Sequence, residues 1–138
     1  MLTNEITRRI EWADCDPAKI VFYPNYFAWF DDANWKLFAK AGFPPDVLYN
    51  EFKFAGMPIV EAKSKFLGPS RFFDEITIAS HVAAWREKTF DVVHRIFNKG
   101  TLSVEGMETR IWCEWHPDDP SRLKARPVPK AIVEKLSA

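Results

Sequence analysis

Cysteine is scarce in this chain. Cys15 and Cys113 are the 2 cysteines among 138 residues, and they form no CxxC pair. That excludes a disulfide scaffold and a cysteine-built zinc site. The 3 histidines, His81, His94 and His116, show no metal-ligand spacing. Glycine numbers 5, and neither a GxGxxG nor a P-loop pattern occurs, so glycine-cradled dinucleotide or phosphoryl chemistry has no support. Charge of one sign is also missing. Lysine and arginine total 19, as do aspartate and glutamate, so no global field favours nucleic acid or an anionic membrane. No apolar run reaches the roughly 18 residues of a membrane span. The opening "MLTNEITRRIEW" has no signal-peptide core. These absences lead us to expect a soluble, reduced, cytoplasmic protein that contacts neither nucleic acid nor membrane.

Apolar bulk is plentiful. Hydrophobic residues make up 47%, with 12 Phe and 6 Trp, which is ample for a real core and too apolar for disorder. The length fits a single domain over residues 1–138. Residues 5–12 read as a first strand and 13–22 as a loop. Pro24 suits the first turn of a helix that runs through "NYFAWFDDANWKLFAKA" and stops at Gly42. That helix reads as apolar on nearly every side, hence buried, with one face left for another subunit to cover. "PPDVLYNEF" offers a short second helix. The period then changes to two, and residues 59–68, 75–86, 89–98 and 101–115 read as strands joined in antiparallel hairpins. "PVPKAIVEKL" reads as a closing helix. The class is α+β, an antiparallel sheet wrapped round one long apolar helix.

The stretch "WADCDPAKIVFYPNY" sets two carboxylates beside the most apolar part of the chain. Aspartates ahead of helices are commonly turn formers and caps. Asp16, however, lies well upstream of Asn25 and borders "IVFY". A carboxylate at such an edge is desolvated, which makes it a better base or nucleophile. The nearby helix N-terminus offers unpaired N–H groups and a positive dipole end that can hold an oxyanion. Together these are the minimum for acyl transfer from an activated ester. Asp14 reads as a loop-shaping residue.

A second pair, Asp31 and Asp32, lies inside the helix. Asp32 faces Lys36 at i+4 and reads as an exposed ion pair. Asp31 falls on the side of Phe27, Asn34, Trp35 and Phe38, where an unpaired acid would cost several kcal/mol, roughly. It needs a partner, either from the protein or from a ligand. Cys15 as a nucleophile would require a histidine base, and every histidine lies far along the chain. Basic clusters at "WREK" (85–88) and "SRLKAR" (121–126) read as a solvated rim, or as points for a phosphate-bearing substrate tail.

The string "DCDPAKIVFYPNY", followed by "WFDDA", resembles the 4-hydroxybenzoyl-CoA thioesterases of the hotdog-fold superfamily, the branch found in Pseudomonas-type bacteria. The likeness continues in "GMPIV" (56–60), "FFDEITI" (72–78), "WREKTF" (85–90) and "SRLKARPVP" (121–129), so it covers nearly the whole chain. The resemblance implies the hotdog fold, a five-stranded antiparallel sheet round a long helix, assembled as a homodimer or homotetramer. It implies hydrolysis of an aromatic CoA thioester with no metal and no cofactor, coenzyme A being part of the substrate. It puts the catalytic carboxylate on Asp16 and the carbonyl-polarising backbone N–H on Tyr23. It turns Asp31 toward the ring's para-hydroxyl and offers Arg86 and Lys88 to the CoA tail. Two departures stand out. Lys19 occupies a place where that family usually has glycine, and "WREK" replaces "WRRK". Alternatives within the same fold are a short-chain acyl-CoA thioesterase and a non-catalytic acyl-CoA-binding protein. A hydratase of similar fold would need a histidine just after Asp16, and none is there.

Overall fold

The switch from a helical period to a period of two marks the main division of the chain. In the computed structural model, which describes residues 1–138, it opens with β1 (Asn4–Arg9) and a 3-10 turn at Trp12–Asp14. Two helices follow, α1 (Pro24–Lys40) and α2 (Pro45–Glu51). Then come β2 (Phe54–Gly56), β3 (Ile59–Phe66), β4 (Glu75–Trp85), β5 (Thr89–Asn98), β6 (Thr101–Ile111), β7 (Cys113–His116) and β8 (Asp119–Ala125), and the chain closes with α3 (Lys130–Ser137). The main sheet has 5 antiparallel strands in the order β1-β4-β5-β6-β3. It is the hotdog arrangement, with α1 laid across one face.

Alternation explains which face. Ile76, Ile78, Ser80 and Val82 of β4 are buried, as are Phe90, Val92, His94 and Ile96 of β5 and Val104, Gly106, Glu108 and Arg110 of β6. These positions fall on one side of the pleat. Against them α1 buries Tyr26, Trp29, Phe30, Ala33, Asn34, Leu37 and Phe38. That spacing of three and four is a single helical stripe. Burying one such Phe or Leu contributes about 1.5–3 kcal/mol, so the stripe accounts for the helix's position without help from local propensity. Gly106 lets the Phe30 ring of α1 pack directly on the sheet, because a Cβ there would overlap that ring.

Four expectations need correction. The helix α1 is not apolar all round. Asp31, Asp32, Lys36, Ala39 and Lys40 leave its opposite side exposed, and that side needs no covering subunit. The run 101–115 is two strands. Trp112, fully buried, leaves the β6 ladder, donates its N–H to the Lys88 carbonyl and accepts from the Arg126 N–H. The segment "SRLKAR" is exposed, as a solvated rim is, but most of it lies in a strand that the sequence did not offer, β8, in a second sheet ordered β2-β7-β8. Finally, β3 does not form a hairpin with β4. It pairs with β6, while β4 pairs with β1.

The edge strand β3 is unusual. Its residues are exposed on both faces except Ser64, and they include Ile59, Val60 and Phe66 at 45%, 59% and 48% exposure. Ile59 and Val60 at one end and Phe66 at the other leave apolar side chains on an edge strand with unpaired backbone groups, a template for pairing with another strand, while Glu61, Lys63 and Lys65 between them restrict which partner fits. No helix is long and apolar enough to cross a membrane.

Candidate active site

The loop between β1 and α1 is built by its own polar groups. Asp14 accepts from the Glu11 N–H at 2.8 Å and from Arg8 Nη2 at 3.3 Å. Its carbonyl accepts from the Phe22 N–H at 2.8 Å and from Asn25 Nδ2 at 2.9 Å, which ties the loop to the first turn of α1. Asp14 therefore shapes the loop, as the sequence suggested. Asn25 was not singled out there, and it acts as a donor to the loop rather than as a helix cap, since α1 has no side-chain cap bond.

Asp16 stands at the tip of a tight reversal. Its N–H bonds the Ile20 carbonyl at 2.9 Å and its carbonyl accepts from the Lys19 N–H at 2.8 Å. An isolated bridge between Cys15 and Val21 closes the reversal, and another from Ile20 to Arg71 docks it on the segment before β4. One side-chain oxygen, Oδ1, accepts from the Ala18 N–H at 2.8 Å, and Oδ2 has no protein partner. The carboxylate is thus aimed by the Asx turn while keeping one oxygen free. Lys19 holds the left-handed backbone at φ 65°, the conformation for which glycine is suited.

Tyr23 lies two residues beyond the bridged Val21, with helical φ −56° and ψ −33°, and Pro24 occupies the first helical position. The N–H groups of Val21, Phe22, Asn25 and Tyr26 are all bonded within the chain, and that of Tyr23 is not. This leaves a free backbone donor at the positive end of a 17-residue helix. Beside it runs a groove of about 440 Å³, lined by Ile20, Val21, Tyr23, Tyr26, Phe66 and Leu67 among others. The Tyr23 and Phe66 rings meet edge to face at 6.1 Å, and Tyr26 and Phe66 lie 5.8 Å apart. Asp16 does not itself line this groove and reaches it through Ile20. Burial, and after it the charges of Asp14 and Asp16, pushes the Cys15 thiol up. That is the wrong direction for a nucleophile.

Asp31 lies eight residues further along α1, about 12 Å at the helical rise. It is half exposed and carries the partner that the sequence demanded. Arg110 Nη2, on β6, donates to Asp31 Oδ1 at 2.7 Å. The pair borders a second open groove of about 400 Å³ with Trp35, Met57, Pro58 and Ile59. Arg110 was missed from sequence, yet a signal existed. Alternation along "VEGMETR" places Val104, Gly106, Glu108 and Arg110 on one face, so two charges had to be buried beside a glycine.

Arg86 and Lys88 follow β4 at the opposite end of the sheet. The Arg86 guanidinium is held by both oxygens of Asp91 and by Thr89 Oγ1, and Lys88 is exposed. The Asp16 loop docks just before β4 begins, and Arg86 comes just after its 11 residues. At the rise of a strand that is about 35 Å.

Comparison with known proteins bears on this arrangement. The family model described as "Thioesterase-like superfamily" matches residues 10–136.

The chain belongs to that superfamily.

Family membership makes it a thioester hydrolase by class, in agreement with the resemblance read from the "DCDP" string. It is 34% identical over 136 residues to 4-hydroxybenzoyl-CoA thioesterase of Pseudomonas sp. (strain CBS-3), covering 94% of each chain. Among solved structures it is similar to a mutant 4-hydroxybenzoyl CoA thioesterase complexed with 4-hydroxybenzoyl CoA. There the TM-score is 0.87 at 33% identity, covering 97% of this chain and 98% of that one. It is also similar to a gentisyl-coenzyme A thioesterase, BH1999, with a TM-score of 0.82 at 30% identity, covering 98% of this chain and all of that one.

Proposed function

We propose that the chain hydrolyses an aromatic CoA thioester, 4-hydroxybenzoyl-CoA or one like it, to the free acid and coenzyme A. The observation that carries this reading is the unpaired Tyr23 N–H at the head of α1, beside an aromatic groove and a carboxylate with one free oxygen. The amide donates to the thioester carbonyl and strengthens that bond as negative charge develops on oxygen. Asp16 serves as general base or nucleophile. As base it takes a proton from water while the oxygen adds to the carbonyl carbon. The C–S bond then breaks, and the departing sulfur takes up a proton as the free thiol of coenzyme A. As nucleophile its free oxygen forms a mixed anhydride with loss of the thiolate, and water then cleaves the anhydride. Neither route calls for a metal or cofactor, since the carboxylate and the amide are the reacting groups. The aromatic lining of the groove, and the names of the relatives at 34% and 30% identity, favour an aryl over a short aliphatic acyl group.

Arg86 and Lys88 are the proposed contacts for the CoA phosphates. Their separation of about 35 Å from Asp16 in one chain is greater than the pantetheine arm of coenzyme A spans. Two copies paired antiparallel through β3 would set the Asp16 end of one sheet beside the Arg86 end of the other. The exposed Ile59, Val60 and Phe66 on the β3 edge support such a homodimer, which pairs again in a homotetramer. Two free cysteines support a reducing, cytoplasmic setting.

The deciding experiment is thiol release from 4-hydroxybenzoyl-, benzoyl- and butyryl-CoA by the native protein and by Asp16→Asn at matched folding. The reading expects 4-hydroxybenzoyl-CoA to be the best substrate and the variant to lose activity by about 100-fold or more. A preference for butyryl-CoA would remove the aromatic assignment. Tight binding of the esters without thiol release would make this a binding protein. Equal rates for both proteins would return Asp16 to a turn-forming role.

A further inference from the structure

A chain of polar side chains crosses the core from β4 to α1, and the hydrolysis mechanism uses none of it. Ser80 Oγ lies 2.7 Å from His94 Nδ1, and His94 Nε2 lies 2.7 Å from Glu108 Oε1. Glu108 Oε2 accepts from Arg110 Nη2 at 2.9 Å, and Arg110 Nη1 donates to the Met57 carbonyl at 2.9 Å. The same Nη2 reaches Asp31 Oδ1 at 2.7 Å. The His94 ring stacks on Phe30 at 4.8 Å and 7°. Strand register places Ser80 opposite His94 and His94 opposite Gly106, so the chain steps straight from β4 to β5 and then diagonally, two residues along, to Glu108 on β6.

Its far end is the informative one. Arg110 is 97% buried, whereas Asp31 is half exposed. Glu108 alone balances the buried positive charge, so folding does not require an aspartate from the rim. An exposed aspartate also loses conformational freedom when it is pinned. Arg110 Nε, moreover, is buried with no partner. The guanidinium is thus oriented so that it reaches Asp31 while one of its own donors goes unmet, a disposition that calls for an explanation. Only Oδ1 of Asp31 is bonded, which leaves Oδ2 as an acceptor on the rim of the groove of about 400 Å³.

We propose that Arg110 is a positioning residue for substrate choice. It fixes the Asp31 carboxylate, through the Glu108–His94–Ser80 chain behind it, so that Asp31 Oδ2 accepts a hydrogen bond from a ring hydroxyl, and it does so separably from its part in the fold. The inference rests on the aromatic thioesterase reading. An ionised carboxylate held by a fixed cation offers acceptors only. It selects a ring that carries a hydroxyl donor and disfavours both an unsubstituted ring and an anionic one.

The test compares Asp31→Asn, Arg110→Lys and the charge-balanced pair Arg110→Gln with Glu108→Gln. Each is assayed for kcat and KM on 4-hydroxybenzoyl-CoA and on benzoyl-CoA, with circular dichroism and Tm as folding controls. The expected result is a loss of the hydroxyl preference by about tenfold in every variant. The loss should appear as a higher KM on the hydroxylated ester, and the readout is the ratio of kcat/KM on the two esters, because freeing the carboxylate also lifts its penalty on the unsubstituted ring. Combining Asp31→Asn with Arg110→Lys should add nothing, because both act on one contact. If Asp31→Asn loses the preference and folded Arg110 variants keep it, the proposal is overturned while the Asp31 reading stands. If Asp31→Asn keeps the preference, both fall, and activity on the ester panel still reports separately on the thioesterase reading. Failure of every Arg110 variant to fold would also overturn the proposal, since it states that the two roles separate.

Discussion

His94 Nε2 lies 2.7 Å from Glu108 Oε1, and neither side chain reaches solvent. Burial alone would push the Glu108 carboxyl up. The hydrogen bond from His94 and the neighbouring Arg110 guanidinium outweigh it and hold Glu108 below the usual glutamate range. The sign of the pH effect follows. A depressed carboxyl binds fewer protons folded than unfolded, so its stabilisation is present above about pH 4.5 and is lost as pH falls through the folded value. We expect Glu108→Gln to cost about 3 kcal/mol at pH 7, as for one partner of a buried pair. The gap from the native protein should close as acid is added below about pH 4.5. Denaturant unfolding across that range measures it. A gap independent of pH would show that the loss is one of packing rather than charge.

The close approach of Phe30 to Gly106 predicts a second outcome. A methyl group at residue 106 overlaps the Phe30 ring, and the helix has to yield. Gly106→Ala should destabilise by about 1–3 kcal/mol, as overpacking does. Chemical denaturation reads this directly, and an unchanged midpoint would mean that α1 shifts freely on the sheet.

Lys19 gives an opposite sign. It is held at φ 65°, a left-handed backbone that glycine adopts without strain. Lys19→Gly should raise stability by about 0.5–1 kcal/mol, because left-handed backbone costs an L-residue about 1–2 kcal/mol, part of which glycine gives back in chain entropy. The thioester hydrolysis rate should stay within a few-fold. A large loss of rate at retained stability would instead give the Lys19 ammonium a part in the reaction.

Strand β3 yields a fourth prediction. Val60 is 59% exposed near the start of this edge strand. Val60→Asp should weaken self-association by at least about tenfold, or 1.4 kcal/mol, as read by sedimentation equilibrium. A native protein that stays monomeric at micromolar concentration would remove the β3 pairing altogether.

The layout of the site was legible where chemistry is local. Asp14 and Asp16 read as one loop shaper and one free carboxylate because turn and cap bonds span a few residues, and they do so here. Helix α1 was legible in extent but not in facing. Its aromatics hide a stripe that only the sheet picks out, so Asp31 read as a core acid when it is a rim acid with a distant partner. That partner is 79 residues away, and no local pattern reports it. The same reason hid β8. Its pairing with β7 depends on Trp112 breaking away from β6, a choice made by contacts with Lys88 and Arg126 rather than by periodicity.

The span of β4 carries a consequence for mixtures of damaged chains. If the carboxylate comes from one copy and the phosphate contacts from another, two inactive proteins can mend each other. Asp16→Asn chains supply Arg86, and Arg86→Ala chains supply Asp16. In a randomly reassembled one-to-one mixture, half the dimers are hybrids, and each hybrid holds one intact site and one doubly broken site. About a quarter of the native activity should therefore return on mixing, although each protein alone is nearly inert. A site contained within one chain would show no such rescue, so the distance from Asp16 to Arg86 turns into a complementation test that needs no knowledge of the natural acyl group.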